Sequence, residues 1–251
     1  MMPFRLIRLS IIAGLIAAAP ALAPTGAQER SADGARANNP GLPGWCETPV
    51  EQRKAEPGCY TTAITKLGLL PKAPLYWHLD TYPDKAAAEA NKTPRSTVVD
   101  GHGKHWLFTI ADQAWRPKAG ERVAMIGPLI VDRGVSYTAH YLETVIEPGF
   151  QDGKMGHRHS GPEAWYIVSG GQCLETPNGV MAGVAGQSMM APEGWPMAIA
   201  SIGDETRRAV VLVLHRTSEP YTSPVNSKPD APHAHWEPKG ACANVKVLPG
   251  K

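Results

Sequence analysis

From Cys59 to Arg216 apolar and polar positions alternate in short runs punctuated by glycine and proline, a period of two that predicts strands. CYTTAITK and APLYWHLD are the first two runs. Pro83 then opens an alanine-rich stretch, DKAAAEAN, the one segment that reads as a helix, with proline in its tolerated place before the first turn. STVVD and HWLFTIA follow, divided by the turn Gly101-His102-Gly103. The remaining strand-like runs are ERVAMIGPLIV, VSYTAHYLETVIEPG, AWYIVS, GQCLETP, VMAGVAG, a strand around Met189 and Met190, PMAIAS and RRAVVLVLH. In YTAHYLETVI, His140 has the parity of Leu142 and Ile146, which points it inward, while Glu143 and Glu147 share the other face. RRAVVLVLH is apolar on both faces, so the phase of its terminal His215 is open. Residues 28–58 read as a polar, flexible lead-in, and residues 217–251 as a proline-rich tail lying across the surface.

Composition sharpens this picture. With 25 glycines and 24 prolines in 251 residues, many short strands and turns are favoured over long helices. The formal charge of +2 contains no basic cluster beyond the N-terminus, so nucleic acid is not an expected partner. Arg5 and Arg8 precede an apolar run from Leu9 to Ala23, too short for a comfortable membrane span and followed by small residues. Residues 1–27 are therefore read as a secretory signal peptide, cut after Ala23 or Ala27, which sends the mature protein to a bacterial periplasm or outside the cell with no membrane attachment. Roughly 220 residues then remain, enough for one elaborated domain. The four cysteines suit an oxidising compartment and allow three pairings. One of these joins Cys46 to Cys59 across a short loop and leaves Cys173 to fasten the tail through Cys242.

The chemistry concentrates in Gly153 to Gly170, GKMGHRHSGPEAWYIVSG. His157 and His159 stand two apart, so an extended strand offers both imidazoles to one point. Gly161 and Pro162 break the ladder, and Glu163 starts a new strand that can return beside them. Two neutral imidazoles and a carboxylate suit a divalent metal: iron, manganese, zinc or nickel. Trp165 has the parity of Glu163 and should face the same cavity. His78, His102 and His105 read as structural or solvated, and His233 and His235 lie between prolines without a carboxylate in register.

The arrangement of His157, His159, Glu163 and Gly170 resembles the first motif of the cupin superfamily. Gly186, Pro192 and Gly194 resemble its second motif, although Met197 stands where the family carries its last metal-binding histidine, Ser201 where it often has asparagine, and Gln151 where the first motif begins with glycine. The resemblance implies an all-β fold, a double-stranded β-helix or jelly-roll barrel over residues 105–216, with residues 59–104 as a β-rich N-terminal extension containing one short helix. It also implies a homodimer and a divalent metal held by two histidines and one glutamate, with Met197 as cavity wall. The pocket would be completed by His140, Trp165, Met197 and His215. Two functions follow: a metal-dependent enzyme acting on a small organic molecule by oxygenase, isomerase or lyase chemistry, or a non-catalytic small-molecule binder whose metal site has lapsed. No dinucleotide fingerprint or phosphate-cradling loop occurs, so no organic cofactor is expected.

Overall fold

The computed structural model describes residues 46–54, 56–152 and 156–246. The expected signal peptide, most of the lead-in and Gly153 to Met155 lie outside the described residues. In chain order the strands are β1 (Gly58–Leu69), β2 (Leu75–Tyr82), β3 (Ser96–Gly101), β4 (Lys104–Ala111), β5 (Glu121–Leu129), β6 (Ser136–Ile146), β7 (His157–Arg158), β8 (Glu163–Ser169), β9 (Gly171–Thr176), β10 (Gly179–Val184), β11 (Ser188–Ala191), β12 (Ala198–Ile202), β13 (Arg207–Arg216) and β14 (Ser223–Pro224). The helix expected after Pro83 is α1 (Lys85–Ala90). Asp84 caps it, its carboxylate accepting from the Ala87 N–H at 2.8 Å.

A five-stranded antiparallel sheet in the order β1-β6-β13-β8-β11 forms the central layer. On one side of it lies β10-β9-β12, continued through the bridges Gln151–Ala200 and His157–Met197 towards the pair β7 and β14. These two layers enclose Leu142, Trp165, Val211 and Val213 against Leu174, Met197 and Ile199. They make the all-β, double-stranded β-helix barrel that the cupin resemblance implies.

A third sheet, β3-β4-β2-β5, covers the other face of the central layer. There Trp77, Trp106 and Phe108 pack with Tyr141, Leu212 and Leu214. Residues 211 and 213 thus face the barrel while 212 and 214 face the outer sheet. This two-sided burial is why RRAVVLVLH is apolar throughout.

The layer assignment departs from the expected boundary at residue 105. Strand β1 belongs to the barrel, pairing with β6 from Gly58↔Val145 to Leu69↔Ser136. Strand β5, expected in the barrel, instead flanks β2 in the outer sheet, with β4 on the other edge of β2. The physical cause is that β2, buried along most of its length, hydrogen-bonds on both edges and needs a partner on each. The cysteines join as Cys46–Cys59 and Cys173–Cys242. The second bond ties the tail to β9, and the tail also adds β14 to β7, with Ser223 opposite Arg158 and Pro224 opposite His157. No helix among the described residues is long and apolar enough to cross a membrane.

Candidate metal centre

Strand β7 is only two residues long, held on one side by β14 and on the other by Met197. His157 and Met197 exchange both backbone hydrogen bonds, at 3.0 and 2.8 Å. Beyond His159 the chain turns hard against β13: a Cβ added at Gly161 would lie 1.8 Å from the Leu214 carbonyl oxygen. Pro162 offers its own carbonyl to the Leu214 N–H at 3.0 Å, and Glu163 restarts the chain as β8, opposite Val213 and Ala191. Glycine is required at the first of these positions because only a residue without a side chain fits under the strand.

The turn returns Glu163 to the two histidines. Its Oε2 stands 2.8 Å from His159 Nε2 and 3.9 Å from His157 Nε2. One ligand atom from each of the three side chains falls within 4.8 Å of the others. All three residues are buried, at 6 %, 4 % and 4 % exposure for His157, His159 and Glu163. His159 Nε2 and Glu163 Oε2 are close but misaligned and have no hydrogen-bond partner, and neither has the other nitrogen of His157, Nδ1, which faces Asp152. Buried lone pairs that converge without bonding one another are costly unless a third atom joins them. A divalent cation fits that donor set.

Burial, and then the neighbouring His159, push the His157 imidazole down to about 3, so it is neutral and able to ligate. For His159 burial also favours the neutral ring, but the negative charge of Glu163 close by, with the Tyr221 carbonyl, outweighs it and raises the pKa. That carbonyl takes the Nδ1 proton of His159. Asp152 Oδ2 lies 4.0 Å from His157 Nδ1 and accepts the Ile199 N–H at 3.0 Å.

The triad opens on a narrow barrel cavity of about 30 Å³, room for a cation with a water or two. Trp165 lines it. Met197 is 1 % exposed and sits in the apolar core beside the cavity, outside its lining. His140 is also outside the lining, because its Nε2 is engaged by Thr61 Oγ1 at 2.7 Å and its ring packs 4.4 Å from that of Tyr221. Burial, with His215 and His159 nearby, lowers it to about 4. His215 turns its Nδ1 to the carbonyls of Arg216 and Glu219, each at 3.1 Å. His78, His102 and His105 instead contact Asp112, Ala209 and Asp100, at 2.9, 3.1 and 2.8 Å.

Among the lining residues that sequence reasoning missed are Arg207, Thr144 and Tyr221. Arg207 has the parity of Val211 and Val213, which would have placed it inside had the phase of β13 been readable. Tyr221 lies in the tail read as surface. No local pattern marks it.

No protein-family model and no curated protein matches this chain. Among solved structures, an uncharacterized conserved protein with a double-stranded β-helix domain from Klebsiella pneumoniae is 19 % identical over 39 % of this chain and 77 % of its own, with a TM-score of 0.30. The DMSP lyase DddQ from Ruegeria pomeroyi is 19 % identical over 34 % of this chain and 42 % of the lyase, TM-score 0.30. A variant of oxalate decarboxylase from Bacillus subtilis is 15 % identical over 37 % of this chain and 28 % of the decarboxylase, TM-score 0.28. This chain therefore spans less than half of either enzyme, and the likeness says nothing about activity.

Proposed function

From a cupin-type barrel with two imidazoles and a carboxylate converging inside it, we propose an exported protein that binds a divalent cation through His157, His159 and Glu163 and acts there on a small organic molecule. The observation that carries this reading is the set of three buried side chains whose ligand atoms lie within 4.8 Å of one another, two of those atoms, His159 Nε2 and Glu163 Oε2, without a hydrogen-bond partner. When bound, the cation would supply Lewis-acid chemistry, polarising an oxygen atom of the substrate or of water at the positions the protein leaves open. His157 contributes a neutral ring held by its backbone pairing with Met197. His159 is oriented by Tyr221, and Glu163 supplies the negative charge that a dication requires. Trp165, Val211 and Val213 exclude bulk water from the same space. Iron, manganese, zinc and nickel all suit this donor set. The two disulfides support an oxidising compartment, in keeping with export. A homodimer follows from the cupin resemblance and is checked by light scattering.

A second reading, a non-catalytic binder, is favoured by the small cavity and by Met197 in place of a further imidazole. Elemental analysis of protein made without a histidine tag separates the two. The enzyme reading expects near-stoichiometric metal, lost in His157→Ala/His159→Ala. Metal-free protein whose ligand-induced stabilisation survives chelation would instead support the binder.

A further inference from the structure

Arg207 begins β13 and is fully buried, 1 % exposed, on the wall of the same cavity as the proposed triad. Its two terminal nitrogens donate to Thr144 Oγ1 and Gln172 Oε1, both neutral acceptors. Among the described residues no carboxylate comes within ion-pair distance of it. A guanidinium without a paired anion in a dry interior is costly, and burial lowers its pKa to about 9 even with the field of Glu163 opposing. Once Glu163 is committed to a dication, that compensation weakens and the cavity carries net positive charge.

The neighbouring side chains point the same way. Gln172 on β9 and Ser201 on β12 are register partners, and they share parity with Leu174 and Ile199, whose side chains fill the barrel core. Arg207 Nε, Gln172 Nε2 and Ser201 Oγ are all buried and all lack a hydrogen-bond partner. Two of these are obligate N–H donors and the third is a hydroxyl able to donate. A buried guanidinium with unmatched donors beside it is complementary to a planar anion with several lone pairs.

We infer that the molecule bound in this barrel is a small carboxylate, its anionic group held by Arg207 with Gln172 and Ser201, its other end directed along the apolar wall of Leu142, Trp165 and Val211 towards the triad. The inference rests on the proposed function in placing the ligand in the barrel cavity, and it adds the ligand's chemical class. The small free volume makes formate, the smallest carboxylate, the first candidate, with acetate and propionate testing how far the apolar wall admits a longer acid.

Formate, acetate and propionate, each against its primary amide, are titrated by calorimetry at fixed ionic strength into the full-length protein, before and after chelation, with inorganic phosphate as a tetrahedral control. The expected result is a carboxylate Kd at least about tenfold below that of the matching amide in both states. Arg207→Gln should abolish that preference and Arg207→Lys should keep part of it. Equal binding of acid and amide, tighter binding of phosphate, or an acid preference that Arg207→Gln leaves intact overturns the inference. Should neither variant fold, the wild-type preference after chelation decides, because no metal then remains to bind the acid. A carboxylate preference in protein that elemental analysis finds free of metal would sink the metal reading and leave this inference standing.

Discussion

Nδ1 of His159 donates its proton to the main-chain carbonyl of Tyr221, which leaves Nε2, 2.8 Å from Glu163 Oε2, as the nitrogen that takes up a cation or a proton. A residue of the tail thereby sets the tautomer of a proposed ligand. The tail is anchored by Cys173–Cys242, which spans 69 positions. Replacing both cysteines by serine should weaken cation binding by about tenfold, through loss of this orientation. In the chain-entropy account it should also cost about 4 kcal/mol of stability. Competition with a chromophoric chelator measures the first effect and urea denaturation the second. Unchanged cation affinity in a demonstrably destabilised double variant would show that Tyr221 orients nothing.

Gly161 has no room for a side chain. With the Leu214 carbonyl 1.8 Å from where a Cβ would stand, Gly161→Ala must push the turn away from β13 and carry Glu163 with it. The expected loss is about 3 kcal/mol or more, accompanied by loss of bound metal. Denaturant midpoints and elemental analysis check it, and a variant with wild-type values for both would contradict the close approach.

Acidification should destabilise the metal-free protein through its buried histidines. Burial holds His140 and His157 neutral in the fold, at about 4 and about 3 against the ordinary 6.5. Between pH 6.5 and 4 the unfolded chain takes up protons that these folded rings refuse, so stability present above that window is lost as pH falls through it. Each ring contributes up to about 1.4 kcal/mol per pH unit. His159, whose pKa is raised, stabilises the fold most at low pH and opposes part of the slope. Urea midpoints across the window should fall with pH, and His140→Asn should flatten the slope by about one proton. A midpoint that rises on acidification would exclude a neutral buried pair.

Met197 faces His157 across an antiparallel bridge, so their side chains emerge on the same side of the sheet. Met197→His should therefore add an imidazole to the proposed ligand set and tighten cation binding by about tenfold or more. The same chelator competition tests this, with looser binding as the contrary outcome.

Local features of the site were legible in the sequence, and features that depend on sheet partnership were not. The spacing of His157, His159 and Glu163, and the break at Gly161-Pro162, are short-range facts, so the convergence of the three side chains was foreseeable. Arg207 was hidden because β13 is buried on both faces and its apolar run conceals which side each residue takes. Strand β5 reads like any barrel strand. Its place in the outer sheet depends on hydrogen bonding to β2, some 40 residues earlier in the chain, which no local periodicity reports. Tyr221 was missed for a similar reason, since a proline-rich stretch gives no sign of which carbonyl will meet a buried ring.

The central sheet acts as a party wall between two separate interiors. Val211 and Leu212 are chain neighbours, yet one answers to the barrel and the other to the aromatic layer around Trp77. Damage to adjacent positions should therefore add as though they were strangers, whereas Leu212 and Trp77, far apart in sequence, should show non-additive energies in a double-mutant cycle. The aromatic layer thus becomes a means of altering the fold's resilience from behind the wall while the chamber in front keeps its shape.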